Sequence, residues 1–270
     1  MGCARCRSCL LSRIFTMAPY KLQHIWMAVN NVFNFSWVQN VHWMNEKPTR
    51  HKPYRPAPIE HIANVVTHGV WVVPSIIACF ALIQRATSWP QYWSAMIYGS
   101  ALVLLFSVST FFHSVFYCSH NRHLKDMLHR GDRAMIYVFI AASYFPWLML
   151  TPLPPGGLAA ELHWIVWVLA SLGILYQQLF HEQYKCLETF FYLVMGITPS
   201  FAIINKKEDF MGLTELKIGG FVYIFGVIFF KADGKIPCAH AIWHMFVVMA
   251  AGIHYYAILN YLYPTNEIYT

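Results

Sequence analysis

Charged residues are scarce in this sequence. Only 11% of its 270 residues are Asp, Glu, Lys or Arg, whereas soluble domains carry about 25%. Hydrophobic residues make up 57% and the mean hydropathy is +0.42, which excludes an ordinary soluble domain and is typical of a membrane protein. The 19 Lys and Arg outnumber the 12 Asp and Glu, but most of this excess flanks the apolar runs. We therefore assign it to membrane topology and anionic lipid head groups, and we expect no nucleic-acid partner.

The cysteines do not form a disulfide framework. Seven is an odd number; three cluster at Cys3, Cys6 and Cys9, and the others lie in or beside apolar runs. The cluster is open to two interpretations, free thiols and palmitoylation sites.

The first 58 residues lack an uninterrupted apolar run long enough to cross a bilayer or to act as a secretory signal. We expect residues 1–58 to form a basic cytoplasmic leader. Within it, Leu22 to Met44 has apolar residues at a spacing of three to four, which favours an interfacial amphipathic helix.

Seven apolar runs follow a proline-rich stretch. Each is near the length that crosses about 30 Å of hydrocarbon. The sequence therefore predicts an all-α fold, a seven-transmembrane helix bundle over residues 59–263, with a short tail at 264–270. Pro146 and Pro199 lie inside the third and fifth runs, where we expect local kinks. The predicted spans are Ile62 to Gln84, Tyr92 to Cys118, Ala134 to Thr151, His163 to Phe180, Leu187 to Ile204, Leu213 to Phe230 and Ile236 to Tyr261.

The distribution of positive charge predicts the orientation of the bundle. The leader and the alternate connections on its side carry fifteen Lys and Arg, and the opposite side carries four. By the positive-inside rule the N-terminus is cytoplasmic and the C-terminus is lumenal or extracellular. This orientation is the reverse of rhodopsin-type receptors and argues against G-protein-coupled receptor chemistry.

Polar residues from three spans are expected at one membrane depth, near the cytoplasmic face. Ser109 and His113 lie in the last turns of the second span, Asp132 at the entrance of the third, and His240 and His244 in the first turns of the seventh. Residues four apart share a helix face. Three imidazoles with a fourth position open to water are the ligand set of a catalytic zinc. Ser109 and Asp132 would hydrogen-bond the metal water or orient an imidazole.

Three further polar residues, Glu60, Asn64 and His68, follow at steps of four on the first span. They support the metal site or contact lipid head groups; a plain hydrogen-bond ladder between helices is the alternative. Cys238 lies two residues from His240, on a different helix face, and is the runner-up ligand. Three further histidines lack a partner at metal-ligand spacing, and we interpret them as interfacial or packing residues. They are His163, His181 and His254.

Together these residues resemble the progestin and adipoQ receptor family over about residues 43 to 263. The motifs that carry the resemblance are Glu60, Asn64, His68, Ser109, His113, Asp132, Ser143-Tyr144-Phe145-Pro146-Trp147, Pro237, His240 and His244. Longer runs resemble the monocyte-to-macrophage differentiation factor branch of the family, namely Phe139 to Tyr144, Ala239 to His244 and His254 to Ile258.

The resemblance implies zinc held by His113, His240 and His244, with Ser109 and Asp132 around the metal water. It also implies a receptor or signalling regulator of endomembranes, with the Golgi favoured over the plasma membrane. Expected partners are membrane lipids, a sphingolipid-type ligand or substrate, and signalling proteins. Some relatives in the family are associated with hydrolysis of the ceramide amide.

Three functions are compatible with these residues. The first is a multi-pass signalling protein with an intramembrane zinc site near the cytoplasmic face. The alternative use of the same site is zinc-dependent hydrolysis of a lipid amide or ester, with Asp132 as general base. The second is a non-enzymatic scaffold in which zinc only joins the second and seventh spans. The third, haem held by paired histidines, leaves Ser109 and Asp132 unexplained.

Overall fold

Helices make up the part of the chain that the structure describes. The computed structural model describes residues 43–46, 56–151, 160–204 and 212–264, without the side chains of 202–204. The predicted leader and tail lie almost entirely outside these residues. Within them, eight helical segments follow one another: α1 Pro58–Gly69, α2 Val72–Arg85, α3 Trp89–Cys118, α4 Arg122–Leu150, α5 Leu162–Leu179, α6 Lys185–Ile204, α7 Leu213–Phe230 and α8 Ala239–Tyr261.

All seven predicted spans are helical in this structure. Six helical stretches within the described residues are long and apolar enough to cross a membrane, with α1 and α2 counted together as Pro58–Arg85. The fifth predicted span corresponds to α6, which is a helix but is not one of these six. The chain is thus a helical multi-pass membrane protein.

Short polar residues set several helix starts. Ser88 accepts a hydrogen bond from the Gln91 backbone at the start of α3, and Asn121 accepts one from Leu124 at the start of α4. Such side chains satisfy backbone N–H groups that have no partner within the helix. Because Asn121 starts α4 well before the apolar run, Asp132 lies within this helix and not at its entrance, a correction to the predicted span of 134–151.

The first span is interrupted in its middle. The regular hydrogen-bond pattern of the helix is interrupted at Val70 and Trp71, where the Trp71 N–H bonds to the His68 carbonyl, three residues back, although both residues keep right-handed helical dihedral angles. Periodicity alone predicted one continuous span. The prolines in the third and fifth spans do not end their helices, since α4 continues past Pro146 and α6 past Pro199.

The centre of the bundle is α3. Half of its most apolar stretch is buried, compared with 11% for α7, and it packs against α1, α2 and α4. Glycines allow other helices to approach closely. A Cβ on Gly226 of α7 would lie 2.7 Å from Cβ of Phe246 on α8, so only glycine fits this contact. Large apolar side chains such as Ile77 and Phe221 face outward, as suits contact with lipid.

Candidate metal centre

The three histidines predicted as metal ligands lie together inside the bundle. α3 carries His113 near its end, and α8 carries His240 and His244 near its start. One ring nitrogen from each lies within 4.8 Å of the other two, and the ring centroids are 4.7 to 5.3 Å apart. His113 and His244 are only 1% and 2% exposed. Two helices distant in sequence therefore place three imidazole nitrogens around one point.

The three imidazole nitrogens suit a metal ion that prefers nitrogen ligands. Ligand nitrogens around tetrahedral zinc lie about 3.3 Å apart, given zinc–nitrogen bonds of about 2.0–2.1 Å, so the distances between the ring nitrogens would shorten by up to about 1.5 Å around an ion. Within the described residues, Nε2 of His113 is buried and has no hydrogen-bond partner. An unsatisfied buried polar atom costs about 1–3 kcal/mol, and a bound metal would remove that cost.

Ser109 and Asp132 line the same cavity as two of the three histidines. Ser109 is one turn before His113 on α3 and is 3% exposed. Its hydroxyl is hydrogen-bonded to the Asp132 carboxylate of α4. Both residues line the same cavity as His240 and His244, so a carboxylate and a hydroxyl face the space next to the proposed metal.

The first helix packs against all three histidines. Glu60 accepts a hydrogen bond from the His240 backbone N–H at 3.0 Å, and the Asn64 amide lies 3.5 Å from Nδ1 of His113. His68 stacks on His244, with ring centroids 3.7 Å apart and planes 12° from parallel. These three residues are at most 4% exposed, so they face the histidines and not lipid head groups.

Thr67, which the sequence pattern did not single out, also contacts the cluster. Its hydroxyl oxygen lies 3.1 Å from Nδ1 of His244. Threonine carries no metal-ligand signature, so only its position between Asn64 and His68 could have pointed to it.

A cavity of about 440 Å³ adjoins the histidines, within the usual range of about 300–1,000 Å³ for small-molecule sites. Its walls are mainly apolar and aromatic side chains of α4, α6, α7 and α8, and it extends from His240 to Lys217 and His254 near the other end of the bundle. Ile197 of α6 and Phe221 of α7 line it and are also exposed on the outer surface. The cavity thus reaches the lipid-facing side of the bundle between these two helices.

The loop between α7 and α8 adds an acidic group that sequence analysis did not identify. Asp233 lines the cavity, and burial, with a further contribution from Glu60, raises its pKa to about 7. It follows no helical periodicity, so no spacing pattern could reveal it.

Cys238 remains outside the candidate metal group. It precedes α8 in a left-handed conformation with φ 53°, and it is not one of the clustered ligand residues. Burial, and then Glu60, raise the pKa of its thiol. A metal ligand must be a thiolate, so this environment disfavours Cys238 as a ligand.

A second cluster contains His129, His181 and Glu182, whose ligand atoms also lie within 4.8 Å of one another. His181, interpreted from the sequence as an interfacial or packing residue, lies 3.2 Å from His129, a partner that sequence spacing does not reveal. Arg133 already occupies this cluster, with Nε 3.1 Å from Nε2 of His129 and Nη2 3.1 Å from Glu182. A guanidinium bonded to two of the three candidate ligands makes this an ion-pair network and not a metal site. It joins α4 to the turn before α6, and Glu188 in the first turn of α6 also bonds to Arg133.

Bilayer-length helices around a buried histidine cluster and an adjoining cavity define a polytopic membrane protein with a candidate intramembrane metal centre. Comparison with known proteins gives the family. The chain belongs to the haemolysin-III related family, whose model matches residues 58–255 and so includes α1 and all three clustered histidines.

Relatives cover most of the chain. Monocyte to macrophage differentiation factor of Homo sapiens is 46% identical over 229 residues, 83% of this chain and 94% of the relative. The Hemolysin-3 homolog of Bacillus subtilis (strain 168) is 38% identical over 211 residues, 75% of this chain and 94% of the relative. Hemolysin-3 of Bacillus cereus is 33% identical over 227 residues, 82% of this chain and 99% of the relative. The predicted progestin and adipoQ receptor family and its differentiation factor branch are confirmed.

Proposed function

We propose that this protein is a signalling protein of endomembranes, Golgi favoured, that holds a zinc ion at His113, His240 and His244 near the cytoplasmic face. The observation that carries the proposal is the convergence of these three histidines from α3 and α8. A signalling role is favoured because the 46% identical relatives are named as a differentiation factor, while the bacterial relatives named as hemolysins are 38% and 33% identical.

Metal analysis of the purified protein tests the zinc site. We expect about one zinc per chain, lost when His113, His240 and His244 are all replaced by Ala. His163→Ala is the matched control, since this half-buried histidine bonds to the Ala160 carbonyl at 3.1 Å, away from the cluster. Stoichiometric zinc that persists in the triple variant would contradict the site, and so would a wild-type protein without zinc.

A second candidate function is hydrolysis of a lipid amide or ester, which the cavity beside the histidines favours. Zinc bound there would supply a Lewis acid and lower the pKa of bound water to about 7. The apolar walls would hold an acyl chain, a sphingolipid-type molecule being one candidate, and would keep bulk water away from its polar head. Asp132 would accept a proton from the attacking water, and Ser109 would orient this carboxylate through their hydrogen bond.

A ceramide hydrolysis assay separates the two functions. If the protein is a hydrolase, the wild type should hydrolyse ceramide. Asp132→Asn should then reduce this activity by about 10²–10⁴-fold, the usual contribution of a general base, while the zinc content stays unchanged. Asp126→Asn is the control, since this carboxylate is exposed and forms an i,i+4 pair with Arg130. Equal activity in Asp132→Asn and wild type would rule out this mechanism. Zinc without hydrolysis would leave a receptor or scaffold in which the ion joins α3 and α8.

We further propose seven spans with a cytoplasmic N-terminus, supported by the excess of Lys and Arg on one side. Cys118 and Cys186 are exposed thiols at the ends of α3 and α6 that this arrangement places in the cytoplasm. In a protein whose Cys3, Cys6 and Cys9 are replaced by Ser, a membrane-impermeant maleimide should label both thiols only after the membrane is permeabilised. Labelling of either in sealed, right-side-out cells or lumen-out vesicles would contradict the orientation.

A further inference from the structure

The first helix contacts each of the three clustered histidines. Glu60 accepts from the backbone of His240, and Asn64 lies next to the His113 ring. Thr67 lies 3.1 Å from Nδ1 of His244. Two of these contacts reach an imidazole ring, those of Asn64 and Thr67. Only for Thr67 do the surrounding atoms determine which partner donates the proton.

Thr67 has one hydroxyl proton and donates it within its own helix. The hydroxyl bonds to the carbonyl of Ala63 at 2.8 Å, with the carbonyl of Asn64 at 3.2 Å. Its oxygen is then an acceptor toward His244. The Asn64 carbonyl, which also can only accept, is hydrogen-bonded to the same imidazole. Because the Thr67 oxygen at 3.1 Å acts as an acceptor, Nδ1 of His244 must carry the proton.

A neutral imidazole has one N–H nitrogen and one nitrogen with a free lone pair. With the proton on Nδ1, the lone pair of His244 is on Nε2, the form in which the ring can bind a metal through that atom. His68 restricts the ring further, because it is stacked on His244 at 3.7 Å. Hydrogen bonds of this kind fix both tautomer and orientation of metal-binding histidines.

We infer that Thr67 is a positioning residue that holds His244 in its metal-binding tautomer. The inference rests on the proposed zinc site and goes beyond it, because it assigns to α1 a role in metal affinity. Thr67 does not itself bind the ion. Its effect on the metal passes through a single hydrogen bond.

The test compares zinc affinity in three single variants of the full-length protein, by competition with a chromophoric chelator. Thr67→Val keeps the shape of the side chain and removes the acceptor, so we expect zinc affinity to fall by about 10–100-fold. Thr67→Ser retains the hydroxyl and should stay within about threefold of wild type. Thr110→Val is the matched control, since Thr110 likewise bonds to a carbonyl one turn back, that of Phe106, and should bind zinc like wild type.

Cobalt substitution provides a readout that a purely structural role would not change. The visible absorption of bound Co²⁺ should differ between Thr67→Val and wild type and be restored in Thr67→Ser. If Thr67→Val fails to fold, Thr67→Ala is measured under the same criterion.

Three results would overturn the inference. Wild-type affinity in Thr67→Val would show that the hydrogen bond is not needed, while leaving the zinc site intact. An equal loss in Thr110→Val would assign the effect to any missing helix hydroxyl. A wild-type protein that binds no zinc would refute the proposed site itself, and with it this role of Thr67.

Discussion

Replacement of Glu60 tests how α1 supports the start of α8. This carboxylate is fully buried and accepts the His240 backbone N–H at 3.0 Å. The residue before α8, Cys238, provides no side-chain cap. Glu60 therefore does from a neighbouring helix what a capping residue does within its own, and it places negative charge at the positive end of the α8 dipole.

The expected losses follow from these two contributions. Glu60→Gln keeps an acceptor and removes the charge, so the free energy of unfolding should fall by about 1 kcal/mol, as for charge–dipole contacts. Glu60→Ala also removes the hydrogen bond and should cost about 1.5–3 kcal/mol, the range for hydrogen bonds to charged groups. Both changes should weaken zinc binding, because His240 is the second residue of the helix that Glu60 stabilises.

Unfolding in mixed detergent micelles measures the loss in the free energy of unfolding, and competition with a chelator measures the loss in zinc affinity. Asp126→Asn is the control for loss of a carboxylate, since Asp126 is exposed and its i,i+4 pair with Arg130 should contribute at most about 0.5 kcal/mol. If Glu60→Ala were as stable as Asp126→Asn and bound zinc like wild type, this role of Glu60 would be refuted.

Three further predictions concern packing, pH and metal. Gly226→Ala should destabilise the protein by about 1–3 kcal/mol through overpacking at α8, whereas Gly220→Ala, whose Cβ would meet no atom within 4 Å, should cause no loss in the same unfolding assay; equal effects would contradict the close approach. Burial alone would raise the pKa of Glu182, but Arg133 and Lys185 more than offset it and hold that pKa below its ordinary value of 4.5. Glu182→Gln should therefore be less stable than wild type at pH 7, and the difference should shrink as the pH falls below about 4.5 and through the folded-state pKa; a difference that grows on acidification would reverse the sign. Chelation of zinc should lower the thermal midpoint of wild type and leave that of the triple histidine variant unchanged.

The sequence was informative wherever one helix carries the signal. Apolar runs located the helical regions that the structure describes, with α1 and α2 taken as one span, because length and hydropathy are properties of a single segment. The pair His240 and His244 could be identified because a spacing of four places both residues on one face. Ser109 and His113 were found in the same way, and the assumption of a common membrane depth then predicted their convergence with α8.

Other contacts between helices could not be predicted from spacing within a single helix. His129 and His181 lie on separate segments, so no spacing relates them, and their contact depends on how α4 packs against α5. Asp233 belongs to a loop without periodicity. Thr67 could be identified only once the rotation of α1 about its own axis was known, because this rotation sets which face of α1 meets His244. The break at Val70 was missed although the sequence marks it, since Gly69 directly precedes it and Pro74, four residues after it, has no N–H to donate to the Val70 carbonyl.

X-ray absorption at the zinc edge of the purified protein tests the central claim most directly, because it reports the ligand atoms themselves. The proposed centre predicts three imidazole nitrogens at about 2.0–2.1 Å with one further light atom, and no sulfur. A sulfur scatterer at about 2.3 Å would instead implicate a cysteine such as Cys238, and an imidazole signal that survives replacement of His113, His240 and His244 would place the metal elsewhere. Either result would contradict the assignment of these three histidines as the ligands.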